Sequence, residues 1–494
     1  MPTRALWTAL ALLLCVACDG AHAQDTSGRT QCTGSKLVKA TGQDGADIQR
    51  AIHSAGSDSV ILLAGEYSVE RTIQLVDRVT LCSQTGATLT WRSADRPGMM
   101  LDASRATGTT IKNLVLDGRG IVLTGSGHTV ENNLIRNIPA PPPHTSDKRW
   151  AEGHGILVAG RGRGLTLKGN FFNNIADTCI MGYGLDDSTI SDNLMQNVHE
   201  GIHLFSPRAT AIRKNSGQSF TAMAIEVQGL NFPGVLVEQN TFSVWNKRTE
   251  KGAYAMSVVA GQSAVVRQNR ITGTPAMAAG LEVGGIAPQI LDNQFVDVPI
   301  VITDTPNALI QGNQLMRASI LKDINRAKSG TLTIRNNILT NPPRVGIASD
   351  HWWGHDQVII SGNQISKQLS ATDADFIGIL ATDSDKQPLV IQQNQITIRS
   401  GPGTPSHARA ICIGNSGFEG NLRGTQINGN VCESDGVAIF ANSNSRGGHI
   451  GVIYQNNKLR NLRDSIQGDS QGLIARGNVL VNVKADQARL QDDR

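Results

Sequence analysis

Five segments, LTLKGN (165–170), STISDN (188–193), TAIRKN (210–215), VLVEQN (235–240) and AVVRQN (264–269), repeat one pattern, a short apolar strand closed by Asn. QILDN, ALIQGN, VIISGN, LVIQQN, TQINGN, GVIYQN and LIARGN carry the series to Asn293, Asn313, Asn363, Asn394, Asn430, Asn456 and Asn478. A unit this short cannot bury its own apolar face, so successive units must stack, and stacking equivalent strands in parallel brings identical Asn side chains into hydrogen-bonded ladders. The Asn residues are therefore scaffolding.

A second strand precedes each of these. GILVA, TCIMG, GIHLF, AIEVQ, AMSVV and GLEVG begin at Gly155, Thr178, Gly201, Ala224, Ala255 and Gly280, and the first three steps are each 23 residues. Alternation turns Ile156/Val158, Cys179/Met181, Ile202/Leu204, Ile225/Val227, Met256/Val258 and Leu281/Val283 inward. A slip of one residue would bury His203, Glu226 and Glu282 without partners, at a cost of several kcal/mol, which fixes the register. The expected fold is all-β: a single-stranded right-handed parallel β-helix, a solenoid running from about 60 to 484 behind a short N-terminal capping helix at about 40–60.

Composition agrees. Charged residues are 17% of the 494-residue chain, aromatics 4%, and Gly reaches 52, which suits many short strands and turns. Lys plus Arg number 45 against 41 Asp plus Glu, so the basic stripe of a nucleic-acid binder is missing and no such partner is expected. Arg4, the apolar run Ala5 to Val16 and Ala21-His22-Ala23 read as a signal peptide over 1–23, with 24–494 as the β-helix domain and a periplasmic or secreted location. A lipoprotein anchored at Cys18 is the alternative; no run is long enough for a membrane span. An oxidising compartment would permit Cys32 to pair with Cys82 and Cys412 with Cys432, leaving Cys179 over, although spacing does not determine connectivity. The sequence sets no oligomeric state.

The chain resembles members of the pectin-lyase-like β-helix superfamily. Asp47 to Ile52 reads as their capping helix, and SVILLAGEYSV, around Gly65 and Tyr67, is similar to their first strand and Gly-x-Tyr turn. The resemblance implies this fold and a carbohydrate-related role; within it the reaction ranges over lyases, hydrolases, epimerases and non-enzymatic proteins. Asp186-Asp187 resembles the double acid of polygalacturonase-like members and Gly153-His154-Gly155 their Gly-His-Gly. Here the two come in the opposite order, and no Arg-x-Lys follows.

Two outward columns locate the chemistry. Gly155, Thr178, Gly201, Ala224, Ala255 and Gly280, all small, predict a shallow trough for a chain-like ligand. Beside it Leu157, Ile180, His203, Glu226, Ser257, Glu282 and Val301 gather ionisable groups on three of four successive coils. Strands about 4.8 Å apart put the backbones of Glu226 and Glu282 roughly 9 to 10 Å apart, at the edge of what inverting hydrolysis accepts. Glu226, Glu282 and His203 are the lead acid/base constellation, with Glu200, Asp177 and His154 at the turn rim. Singly, each of these is an ordinary solvated residue; the column is what singles them out.

Substrate contacts are expected from Arg149, Trp150, Trp352, Trp353 and Arg208, since three insertions, around Lys148 to Trp150, Trp245 to Tyr254 and His351 to Asp356, would wall the trough and flat rings suit sugar faces. No metal site is assigned, His351, His355 and Asp356 being weak evidence for one; elimination would need a base such as Arg161, Arg163 or Arg208, and Ca²⁺ is implied only in that case. The expected function is cleavage of glycosidic bonds in a polysaccharide, hydrolase ahead of lyase, with a uronate C5-epimerase or a non-catalytic polysaccharide-binding protein as alternatives.

Overall fold

The computed structural model describes residues 32–33, 36–93, 96–141, 150–245, 253–303, 305–322, 330–349, 357–373, 375–381, 389–404, 409–415, 425–441, 452–468 and 473–483. Every pairing among its 48 strands is parallel and joins one coil to the next, which defines a parallel β-helix and rules out a sandwich. Crossovers between parallel strands take the right hand. Helix Gly45–Ala55 lays Ile48 and Ile52 over the first coil, and Asp44 caps it, accepting from the Asp47 amide at 3.0 Å. Tyr67, two residues past Gly65, points into the core. No helix among the described residues is long and apolar enough to cross a membrane.

The Asn ladder forms as expected and is longer than the repeat pattern showed. Asn133 and Asn337 also belong to it, and near the end the rung is Asn457, with Asn456 one place before it. The reason is the corner. The residue before each rung turns in the left-handed region, Asn132 at φ 57°, Lys214 at 55°, Gln239 at 57°, Asn456 at 56°. Asn tolerates that conformation, so an Asn at the corner mimics the rung in sequence. Each rung donates its Nδ2 to the next rung's Oδ1, as Asn215 does to Asn240 at 3.0 Å, and to a strand carbonyl inside the coil.

Cys32 pairs with Cys82 and Cys412 with Cys432, while Cys179 is free and buried. The second bridge closes a loop of sequence separation 20. Cys412→Ser with Cys432→Ser is expected to lower unfolding stability by about 2–4 kcal/mol, read by urea titration; an unchanged midpoint would contradict a structural role.

The register departs from even 23-residue steps at one place. Ile156 pairs with Ile180 and Ile180 with Ile202, because a bulge between Ile175 and Thr178 inserts a residue. Ile180 therefore faces in and Met181 faces out, the reverse of the expected assignment. The predicted trough is also corrected. Ala224 and Ala255 are 0% exposed, and a Cβ on Gly155 would strike the Phe172 ring, on Gly201 the Met195 sulfur, on Gly280 the Val298 and Phe295 side chains. Those residues are small because the coil bends there over the core, not because a ligand lies on them.

Candidate active site

The outward column read from strand pairing is Val122, Leu157, Met181, His203, Glu226, Ser257, Glu282, Val301. Its members point away from the core by strand alternation, yet its first half is closed: Leu157, Met181 and Met99 form a small apolar cluster outside the coil, flanked by Tyr183 and Phe205. A second outward column, Tyr183, Phe205, Gln228, Val259, Gly284, runs alongside. Tyr183 stacks on Phe205 at 5.0 Å between centroids, and the His203 ring lies 4.4 Å from Phe205.

Three predicted residues meet where the apolar half ends. His203 Nδ1 lies 3.1 Å from Glu200 Oε2 and 3.4 Å from Glu226 Oε2. Glu200 belongs at the centre of this cluster and not at the rim. The bulge that shifts Thr178 into pairing with Glu200 also lets Thr178 Oγ1 donate to Glu200 Oε2 at 2.9 Å. Gln228, two residues along the strand and on the same face, donates to Glu226 Oε1. Glu200 and Glu226 are each only 8% exposed.

Burial acts to raise Glu200 and Glu226 and to lower His203, but the neighbours decide the outcome. Against its burial, Glu200 is held below the ordinary carboxylate range by the hydrogen bond and charge of His203 and by hydrogen bonds from Glu226 and Thr178. Burial likewise opposes the charge on His203, but Glu200, Glu226 and Asp177 raise it above the usual imidazole value. Glu226 is pushed up to about 7 by burial first, then by its hydrogen bond with Glu200 and the Glu200 and Glu282 charges, with His203 opposing. The cluster thus sets a Glu226 poised between acid and base near neutral pH beside a Glu200 biased toward its ionised form and a His203 biased toward its protonated form.

The other predicted residues spread outward. Asp177 lies 3.9 Å from His154 Nδ1 and 3.3 Å from Thr178 Oγ1; His154 is buried, which lowers its basicity. Glu282 stands two coils from Glu226 and accepts from Ser257 Oγ at 2.7 Å. Asp186 ends a short strand and meets Arg208 through a backbone β-bridge, while Asp187 turns the corner at φ 50° and pairs with Arg163 at 3.1 Å, so the double acid serves the coil's backbone. Trp245 does not wall the site: it is 5% exposed and donates to the Thr272 carbonyl at 2.8 Å. Arg149, Trp352, Trp353, His351, His355, Asp356, the side chain of Trp150, Cys18 and the 1–23 leader lie outside the described residues.

Among the described residues, Glu200, His203 and Glu226 form the one group offering three ligand atoms within 4.8 Å of one another. One nitrogen and two carboxylates do not supply the six to eight oxygens Ca²⁺ takes.

The coils, their ladder and the external acid column define a right-handed parallel β-helix protein with a carboxylate site on one face. A family model described as a right handed beta helix region matches residues 98–271, the coils that carry that site except Glu282. This is the fold that resemblance to the pectin-lyase-like superfamily implied. No curated protein sequence matches the chain. Among solved structures it is similar to the catalytic unit of a thermostable GH87 alpha-1,3-glucanase from Streptomyces thermodiastaticus strain HF3-3, at 14% identity over 85% of this chain and 70% of that one, TM-score 0.45. It is also similar to the A-module of Azotobacter vinelandii mannuronan C-5 epimerase AlgE6 (14% identity, 74% of this chain, 98% of that one, TM-score 0.41). A third is the DFA-IIIase from Arthrobacter chlorophenolicus A6 (14%, 92% and 99%, TM-score 0.38). Likenesses this distant concern coil architecture and leave the reaction to the site.

Proposed function

We propose that the chain is an exported enzyme that hydrolyses glycosidic bonds of a polysaccharide, with Glu226 as general acid and Glu282 as the base that activates water. The observation that carries this reading is a buried carboxyl group on an open solenoid face, raised to about 7, in the same outward column as a second carboxylate two coils away. A general acid works best with its pKa near the operating pH. Two coils separate the backbones by about 9.6 Å, and the carboxylates of inverting hydrolases stand roughly 6.5–9.5 Å apart, enough for a water between them. In the step, Glu226 gives its proton to the leaving glycosidic oxygen while Glu282 takes one from the water that attacks the anomeric carbon from the opposite face. Glu200 and His203 act on Glu226: the carboxylate keeps the proton on Glu226, and the imidazole fixes the orientation of both. Two disulfides fit an oxidising compartment and hence export.

Elimination and C5 epimerisation need, besides a base at a uronate ring carbon, a group that neutralises the uronate carboxylate, and neither outward column offers a Lys or Arg for that among the described residues. Incubation with a panel of neutral and acidic polysaccharides, followed for reducing ends and for absorbance of unsaturated uronates, separates the reactions. Reducing ends without absorbance are expected; absorbance at the same rate would replace hydrolysis with elimination.

A further inference from the structure

We infer that the face carrying Glu226 takes a polysaccharide free of anionic groups, neutral or amino-sugar, and excludes polyuronates and sulfated glycans. The inference rests on the hydrolytic reading above and adds the substrate class.

Charge along the binding direction carries it. From Val122 to Val301 the first column holds three ionisable residues, His203, Glu226 and Glu282, and no Lys or Arg. The second, Tyr183 to Gly284, holds no charged residue. Glu200, at the centre of the cluster, and Asp177 beside it add acid, and the imidazole of His203 is already engaged by Glu200 and Glu226. Of the nearby arginines, Arg119 is 3.0 Å from Glu152 with both side chains buried and Arg163 is paired with Asp187, while Arg161 stands at the Gly184 corner, outside both columns. Arg208 follows the corner at Ser206, φ 53°, where the chain leaves this face.

A polyuronate repeats a carboxylate on every sugar. Laid along this face it would set several of them against Glu200, Glu226 and Glu282 with no Lys or Arg in either column to neutralise them, and like charges brought together beside buried carboxylates cost free energy. An uncharged chain meets no such penalty. It also finds the right surface: the partly buried rings of Tyr183 and Phe205, next to the acid cluster, offer the apolar contact that sugar C–H faces need, and the half-buried amide of Gln228 offers a hydrogen bond. An amino sugar would gain further from the acidic half.

Binding tests the class separately from turnover. Glu226→Gln retains the shape and charge of the protonated carboxyl group, so it reports the electrostatics of the face without cleavage. Affinity electrophoresis of this full-length variant through gels containing a neutral glucan, glucomannan, xylan, chitosan, alginate, polygalacturonate or chondroitin sulfate is expected to show retardation by at least one of the first four. Its apparent affinity there should be at least tenfold above that for any of the last three. Tyr183→Ala in the same background should weaken that retention several-fold. Equal or stronger retention by an anionic glycan overturns the inference, as does retention by none of the neutral or amino glycans. Retention of a neutral glycan that the wild-type protein does not cleave leaves the class standing and removes the hydrolytic reading. Cleavage of an anionic glycan by hydrolysis does the reverse.

Discussion

Glu226→Gln is expected to lower kcat by roughly 10²- to 10⁴-fold, the contribution of a positioned general acid, with the fold unchanged. Glutamine keeps the hydrogen-bonding shape and lacks only the transferable proton. The pH dependence gives the sign. Glu226 rises to about 7 through burial and the nearby Glu200, so the acid form is full below that value and activity falls as pH rises through it. Glu200→Gln removes the adjacent negative charge, so Glu226 should titrate lower and the alkaline limb should move to lower pH; His203→Gln removes the opposing positive charge and should move it higher. Stability follows the same linkage. A carboxyl group raised on folding favours the folded state fully below its unfolded value and loses that contribution as pH rises through about 7. The melting temperature of Glu226→Gln should therefore fall less than that of the wild type between pH 6 and 9. Wild-type turnover in both Glu226→Gln and Glu282→Gln would sink the assignment. An alkaline limb unmoved in Glu200→Gln would leave Glu226 in place and remove the tuning role of Glu200.

The repeat was readable because its physics is local. An apolar strand, a left-handed corner and an Asn leave the same trace each time, and alternation then decides which of His203, Glu226 and Glu282 face out. What misled was variation in coil length. The bulge before Thr178 changes nothing in the apolar pattern, since Cys179, Ile180 and Met181 can each fill an inward place, yet it moves Met181 outside and brings Thr178 against Glu200. Spacing alone thus puts Glu200 at the rim, whereas it supplies the charge that tunes Glu226. The small residues at Gly155, Gly201, Ala224 and Ala255 carry the opposite lesson: a column of small side chains marks close packing as readily as an open surface, and only the core partners, Phe172 and Met195 among them, distinguish the two. Gln228 could have been found, since it lies two residues after Glu226 on the same strand face.

Asn240→Ala should destabilise the protein by about 3–9 kcal/mol, more than any surface change, because truncation leaves three buried groups unpaired, the Asn215 amide, one Asn215 Nδ2 hydrogen and the Ile212 carbonyl, at roughly 1–3 kcal/mol each. Asn240 Oδ1 accepts from the Asn215 amide at 2.9 Å and from Asn215 Nδ2 at 3.0 Å, while its own Nδ2 donates to the Ile212 carbonyl at 3.0 Å and to Asn269 Oδ1 at 2.9 Å. Asn240 is 0% exposed, so water does not replace these bonds. Leucine in its place would fill the volume and leave the same groups unpaired, so Asn240→Leu should recover little. Asn478 provides the contrast. It makes the equivalent bonds with Asn457 and Tyr454 on the last described rung, but is only part-buried, and water can take over. Asn478→Ala should therefore cost about 1 kcal/mol, the net worth of an ordinary hydrogen bond. Urea titrations of the two variants measure the difference, and equal midpoints would show that the ladder follows the coil instead of holding it. In a solenoid each coil is held chiefly by its two neighbours, so a broken central rung weakens both interfaces. Asn240 lies on the coil that follows the strand bearing Glu226, and its loss should therefore also loosen the acid cluster, lowering activity at temperatures where the Asn478 variant still works.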